Sequence, residues 1–204
     1  MIAVLDRWLA LADRLSTIAV RLAGAMMLAA ALLVGLDVLL RKTVLITLGG
    51  ADELSGYAFA IGTTWALGFT LLRRANVRVD AFYGRLPLRV TSCLDILALL
   101  SLLVFVGYLT WRSVLVLQDS LLFDTHSTTP LGTPLWIPQS LWVVGFFLFL
   151  FTIVPLLLRS TVALVTGDLP KVSRLAGAMT LEESAAEESS HTAELQSPLS
   201  RPDR

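Results

Sequence analysis

Side chains able to carry redox, metal or ion-coupling chemistry are few in this chain, and their spacing argues against each use. Bis-histidine haem ligation needs paired histidines inside a membrane or core. Here His126 lies in a Thr- and Pro-rich stretch and His191 in a polar C-terminal one. Cys93 is the single cysteine, so neither an internal disulfide nor a CxxC redox pair can form. Two acids adjoin apolar runs, Asp37 and Asp95, and either could in principle couple transport to an ion. Ion-coupled transporters place such groups near the bilayer midplane, whereas each of these sits near the end of its run. Asp37 can pair with Arg41 one helical turn on, and Asp95 falls in the first turns of a helix, where the dipole favours an acid. A structural role is the stronger reading for both. The sequence predicts no catalytic residue, no cofactor site, no metal site and no enzyme.

The densest charge is elsewhere. "LLRRANVRVDAFYGRLPLR", residues 71–89, places Arg73, Arg74, Arg78, Arg85 and Arg89 around one acid, Asp80. It directly follows an uncharged apolar run, so its meaning depends on what solvent surrounds the rest of the chain.

That solvent is lipid. The chain of 204 residues is 55% hydrophobic and only 16% charged, too little polar surface to cover a soluble domain of this size. Apolar runs of about 18 residues or more mark membrane spans. Four such runs, at about 22–40, 54–72, 94–117 and 137–158, predict an all-α integral membrane protein with four transmembrane helices. Residues 1–21 read as a separate amphipathic interfacial helix. Ile2, Leu5, Trp8, Leu9, Ala12 and Leu15 recur at helical spacing, with Arg7, Arg14 and Arg21 on another stripe. Trp8 would anchor at the membrane boundary, with the arginines toward anionic phospholipid. Because Asp6 and Asp13 interrupt this segment, it is expected to be retained rather than cleaved as a secretory signal.

Gly49-Gly50 signals a turn before the second span, and Asp52 and Glu53 open that span, where acids suit a helix N-terminus. Pro87 can occupy the first turn of a third helix running to about Ser120. Such a helix would be ~50 Å long against a hydrocarbon core of ~30 Å, and must tilt or project. Pro130, Pro134 and Pro138 preclude a regular helix before the fourth span. A membrane domain over 22–166 is thus followed by residues 167–204, rich in Glu and Ser, expected to be a disordered cytoplasmic tail.

Lys and Arg collect in cytoplasmic loops. Arg7, Arg14 and Arg21, the five arginines of 71–89, and Arg159, Lys171 and Arg174 make eleven on one side, against Arg41, Lys42 and Arg112 on the other. Both termini are therefore expected in the cytoplasm, in a multi-pass protein of the bacterial inner (plasma) membrane. A plain cytoplasmic loop facing anionic phospholipid accounts for the arginines. It does not account for Asp80 among them, nor for Val77, Val79, Phe82 and Tyr83 alternating with the charges. No nucleic-acid partner is expected.

The spans carry a surface for packing. Gly56, Ala60, Thr64 and Gly68 recur every four residues on the second helix, a stripe that admits another backbone. Ala19, Ala23, Ala31 and Gly35 form a broken counterpart on the first. The two stripes can pack on each other or receive a second protein, and Trp65, one position away, can face lipid, a neighbouring helix or a partner.

Between the second and third helices, "RRANVRVDAFYGRLP" resembles the corresponding loop in the small membrane subunit (DctQ-like) of tripartite ATP-independent periplasmic (TRAP) transporters. That family shows an Arg, a short polar step, an "(I/V)RVD" element and a "Y..LP" ending; Asn76 stands where it often has His. The acidic pair Asp52-Glu53, Trp65, and "TPLGTPLWIP" before the last helix agree with it, and the resemblance spans roughly residues 20–160. It implies a non-enzymatic subunit that braces a large TRAP membrane subunit. Such a system is a secondary transporter, a sodium symport system taking up an organic acid handed over by a periplasmic solute-binding protein. Residues implied to touch partner or lipid are Arg73, Arg74, Arg78, Asp80, Tyr83 and Arg85 in the loop, and Asp52, Glu53, Trp65 and the Gly56–Gly68 stripe on the helix. The alternative left by the residues alone is a stand-alone small transporter or a homo-oligomeric channel.

Overall fold

The structure, a computed structural model, describes residues 2–75, 86–177 and 189. Among the described residues lie five helices: α1 (Ile2–Thr43), α2 (Ala51–Leu72), α3 (Leu88–Leu122), α4 (Trp136–Val165) and α5 (Leu169–Ala176). Each of the four expected spans lies inside one of the first four. Three of these, α1, α3 and α4, are long and apolar enough to cross a membrane. The second helix is less apolar because Gly and Thr, such as Gly62, Thr63, Gly68 and Thr70, occupy much of its length.

The boundary expected at residue 21 is absent: α1 continues without a break from Ile2 to Thr43, ~60 Å at 1.5 Å per residue. Trp8 has a partner within the chain. Its ring packs on Phe151 of α4, with centroids 5.5 Å apart. The reason is the buried stripe Leu5, Ala12, Ser16, Ala19 and Ala23, which keeps the first half of α1 on its neighbours instead of releasing it along a surface.

The hub is α4, which touches the four other helices. It carries Phe146, Phe149, Ile153 and Leu156 into a core completed by Leu99 and Val106 of α3, Leu71 of α2 and Ala176 of α5. This last contact corrects the tail. Residues 169–176, expected to be disordered, form a helix whose Val172 and Ala176 are buried against α3 and α4. Asp168 caps it by accepting from the Lys171 backbone N–H at 3.3 Å, and Pro170 sits in its first turn. Pro87, expected in the first turn of α3, is instead its N-cap residue.

Candidate functional site

Around the middle of α2, three helices meet through small and hydroxyl side chains. A Cβ placed on Gly68 would stand 2.7 Å from Ser16 Oγ of α1 and 3.1 Å from Thr152 Oγ1 of α4, so only glycine admits both. Ser16 and Thr152 hydroxyls face each other there at 3.5 Å. One turn up, Gly145 of α4 leaves room for Thr64 and Trp65: a Cβ at 145 would meet Thr64 Cβ at 2.7 Å and Trp65 Cδ1 at 2.8 Å. Through that gap the Trp65 indole N–H donates to the Leu141 carbonyl at 2.9 Å. The Thr64 hydroxyl donates to the Ile61 carbonyl at 2.9 Å, leaving no buried donor unmet on that side chain.

The stripe on α2 therefore divides. Thr64 and Gly68 are spent on α1 and α4, and Trp65 faces a neighbouring helix. Gly56 is exposed with nothing within 4 Å of its Cβ position. Ala60 lines a shallow cavity of about 260 Å³ with Tyr57, Ile61, Leu135, Pro138, Gln139 and Trp142.

At the start of α2 the two connections on that side are tied down. Asp37, buried in the last turns of α1, accepts from Arg41 at 2.6 Å, the pairing its spacing predicts, and from the Leu48 backbone N–H at 2.7 Å. It thus pins the first connection to its own helix. Gly50, with φ 97°, adopts a left-handed conformation as the N-cap of α2. The Leu131 side chain of the third connection fills the space its Cβ would take. Of the acidic pair, Asp52 is exposed and Glu53 does the work. Glu53 accepts from Tyr57 Oη at 2.6 Å and from the Thr129 hydroxyl. Glu53 precedes the expected span, and the Tyr57 bond holds its carboxyl below the ordinary value, against the opposing effect of burial.

At the other end of α2 stand the first arginines of the 71–89 stretch. Arg73 reaches Asp13 of α1 at 3.2 Å and lies over the Phe69 ring, 5.2 Å from its centroid. Arg74 takes φ 52°, unusual for a residue with a Cβ, and donates to the Ser173 carbonyl of α5 at 3.3 Å. Both thus tie α2 to helices of the same chain. Arg78, Asp80, Tyr83 and Arg85 lie outside the described residues. Asp95 is 1% exposed, about two turns from the start of α3, and it does not lack a partner.

Sequence reasoning passed over one ion pair entirely. Arg159 on α4 has only 6% of its side chain exposed and donates through Nε to Asp6 of α1 at 2.8 Å. Asp6 and Arg159 are 153 positions apart, so no local pattern links them. The signal available was weak: an arginine directly after 24 uncharged residues, which counts toward orientation before anything else.

Compared with known proteins, the chain matches the family model described as the DctQ component of tripartite ATP-independent periplasmic transporters over residues 30–162. The match runs from the second half of α1 almost to the end of α4 and overlaps most of the span on which the sequence resemblance rests. No curated protein and no solved structure matches the chain.

Proposed function

Because the chain belongs to the DctQ component family of the tripartite ATP-independent periplasmic transporters, a family of transporter subunits and not of enzymes, we propose that it is the small permease subunit of a sodium-coupled uptake system. In this reading it holds the large membrane subunit in the bilayer while that subunit imports an organic acid delivered by a periplasmic solute-binding protein. The observation that carries it is the family match across the packed four-helix region. Support comes from α2. The uncharged stretch between Asp52-Glu53 and Arg73-Arg74, residues 54–72, would extend ~28 Å, and the helix packs along α1 and α4. This supports reading α2 as the fourth span despite its lower apolarity, and four spans agree with a charge asymmetry expected to keep both termini inside.

The subunit role is tested by uptake of labelled organic acid into cells carrying the large subunit and binding protein. Uptake should be lost when this chain is omitted, and full uptake without it would remove the proposal. Orientation has its own test. Reporter fusions after residues 47 and 128 should read as periplasmic, and those near residue 84 and after residue 165 as cytoplasmic. A periplasmic reading near residue 84 would reverse the arrangement.

Residues 71–89 are assigned a contact with anionic phospholipid or the large subunit. Any single arginine is redundant for orientation, so Arg78→Gln should leave topology unchanged. Asp80→Asn, which keeps size and removes charge, separates a plain loop from an ordered contact. Lowered recovery of the large subunit with normal topology supports contact, and normal recovery and uptake for both variants reduce the stretch to an orientation signal. Deleting residues 180–204, which have little apolar surface to pack, should leave insertion and uptake at wild-type level, and loss of assembled complex would make that segment a binding element.

A further inference from the structure

A helix advances 3.6 residues per turn, so Arg14 and Arg21 stand on α1 opposite the buried stripe of Ser16, Ala19 and Ala23. Both are exposed. The acids of this half of α1 are already used, Asp6 by Arg159 and Asp13 by Arg73. Among the described residues, neither Arg14 nor Arg21 has a hydrogen bond or ion pair.

The depth of Arg21 follows from its neighbours. Ser16 is level with Gly68 of α2, and Ala23 is level with Gly62. Arg21 lies between them, beside the middle of α2. It is eight residues, ~12 Å along the helix, beyond Asp13, which marks the C-terminal end of α2 through Arg73. With α2 spanning the bilayer, as proposed above, an unpaired guanidinium stands on the outer face of the bundle well inside the apolar layer. Intramembrane charges of that kind face protein or water, not acyl chains.

The flanks of this row differ. On one side Thr17, Gly24 and Ala31 are spaced by seven and interleave with Arg14, Arg21 and Leu28 in three- and four-residue steps, the pattern of a helix–helix seam. Gly24 has nothing within 4 Å of its Cβ position, so another backbone can approach closely. The other side carries large apolar residues such as Ile18 and Leu22, more than half exposed, suited to lipid.

We propose that this seam of α1 receives a membrane helix of the large subunit, and that this helix presents a carboxylate to Arg21. The proposal rests on the small-subunit reading and adds the face and the chemistry of contact. Charge selects the occupant. A second copy of this chain, inserted in the same orientation, would bring its own arginines against these, and an acyl chain offers no acceptor.

The test is co-expression of the full chain, tagged, with its large subunit, followed by extraction in mild detergent. The large subunit recovered per chain is measured. Arg21→Gln and Gly24→Leu should lower recovery about tenfold or more, as loss of a buried charge partner or closure of the approach would. Arg21→Lys should keep most of it, and Leu22→Ala on the lipid flank should match wild type. Monodisperse elution of each variant alone checks folding. Should Gly24→Leu fail that check, the contrast between Arg21→Gln and Arg21→Lys decides. Recovery by Arg21→Gln equal to wild type overturns the inference and leaves the subunit reading standing. A loss that added phosphatidylglycerol restores assigns Arg21 to lipid and also overturns it. A wild-type chain that recovers no large subunit overturns both.

Discussion

Gly145→Leu should separate α2 from α4 and lower the midpoint of thermal unfolding more than any other single change considered for this protein. Even a Cβ at this position would press on Thr64 and Trp65, at 2.7 Å from Thr64 Cβ and 2.8 Å from Trp65 Cδ1, and leucine adds three more carbons. Overpacking of this kind costs about 1–3 kcal/mol. The displaced Trp65 also loses its bond to the Leu141 carbonyl, a contribution of roughly 0.6–2 kcal/mol between membrane helices. Together these amount to ~3 kcal/mol, or roughly 6–12 °C in the midpoint for a chain of this length. Gly145→Ala should show the same effect at smaller size. Gly56→Ala on the open end of the same seam should stay within about 0.5 kcal/mol of wild type. The check is tryptophan fluorescence on heating the purified chain in detergent. An unchanged midpoint for Gly145→Leu would mean that α2 and α4 do not meet at this point.

Asp6→Ala should destabilise more than replacing both members of the Asp6–Arg159 pair. Arg159 is almost fully enclosed, so losing Asp6 strands a guanidinium where water barely reaches. Removing one partner of a fully buried pair costs ~3–5 kcal/mol, and exposed pairs contribute ~0.2–1 kcal/mol. Asp6 is 53% exposed, which places the expected loss between these limits, about 2 kcal/mol. Asp6→Ala combined with Arg159→Met puts an apolar chain of similar length in the same space and should recover most of that loss. The double-mutant cycle, read as unfolding midpoints, reports the coupling directly. Additive single effects would show that the pair is not formed.

The pattern of apolar runs made the four long helices legible, because a run of 18 or more such residues has few other stable states. Long-range pairings were not legible. Asp6 and Asp13 looked like interruptions of an amphipathic helix; in the fold each marks a point where α1 crosses another helix, at Arg159 and at Arg73. Asp37 was half-legible: its partner Arg41 follows from helical spacing, but its bond to the Leu48 N–H depends on how the first connection folds back. The glycine of greatest consequence, Gly145, belongs to no stripe, since its role is to admit two side chains from another helix. The short α5 did leave a local signature, Asp168 followed by Pro170 and then by Val172 and Ala176 at helical spacing. Its polar surroundings obscured it. For the contact surface, the stripe Gly56–Gly68 pointed outward and inward with equal force, and only the packing of Thr64 and Gly68 divided it.

Purification of the tagged chain from its native membrane in mild detergent, with mass spectrometry of what co-elutes, tests the central claim most directly. The small-subunit reading predicts a large membrane subunit of the same transporter in fixed ratio with this chain. A chain that elutes alone or only with copies of itself, and that transports solute after reconstitution without any partner, would contradict it.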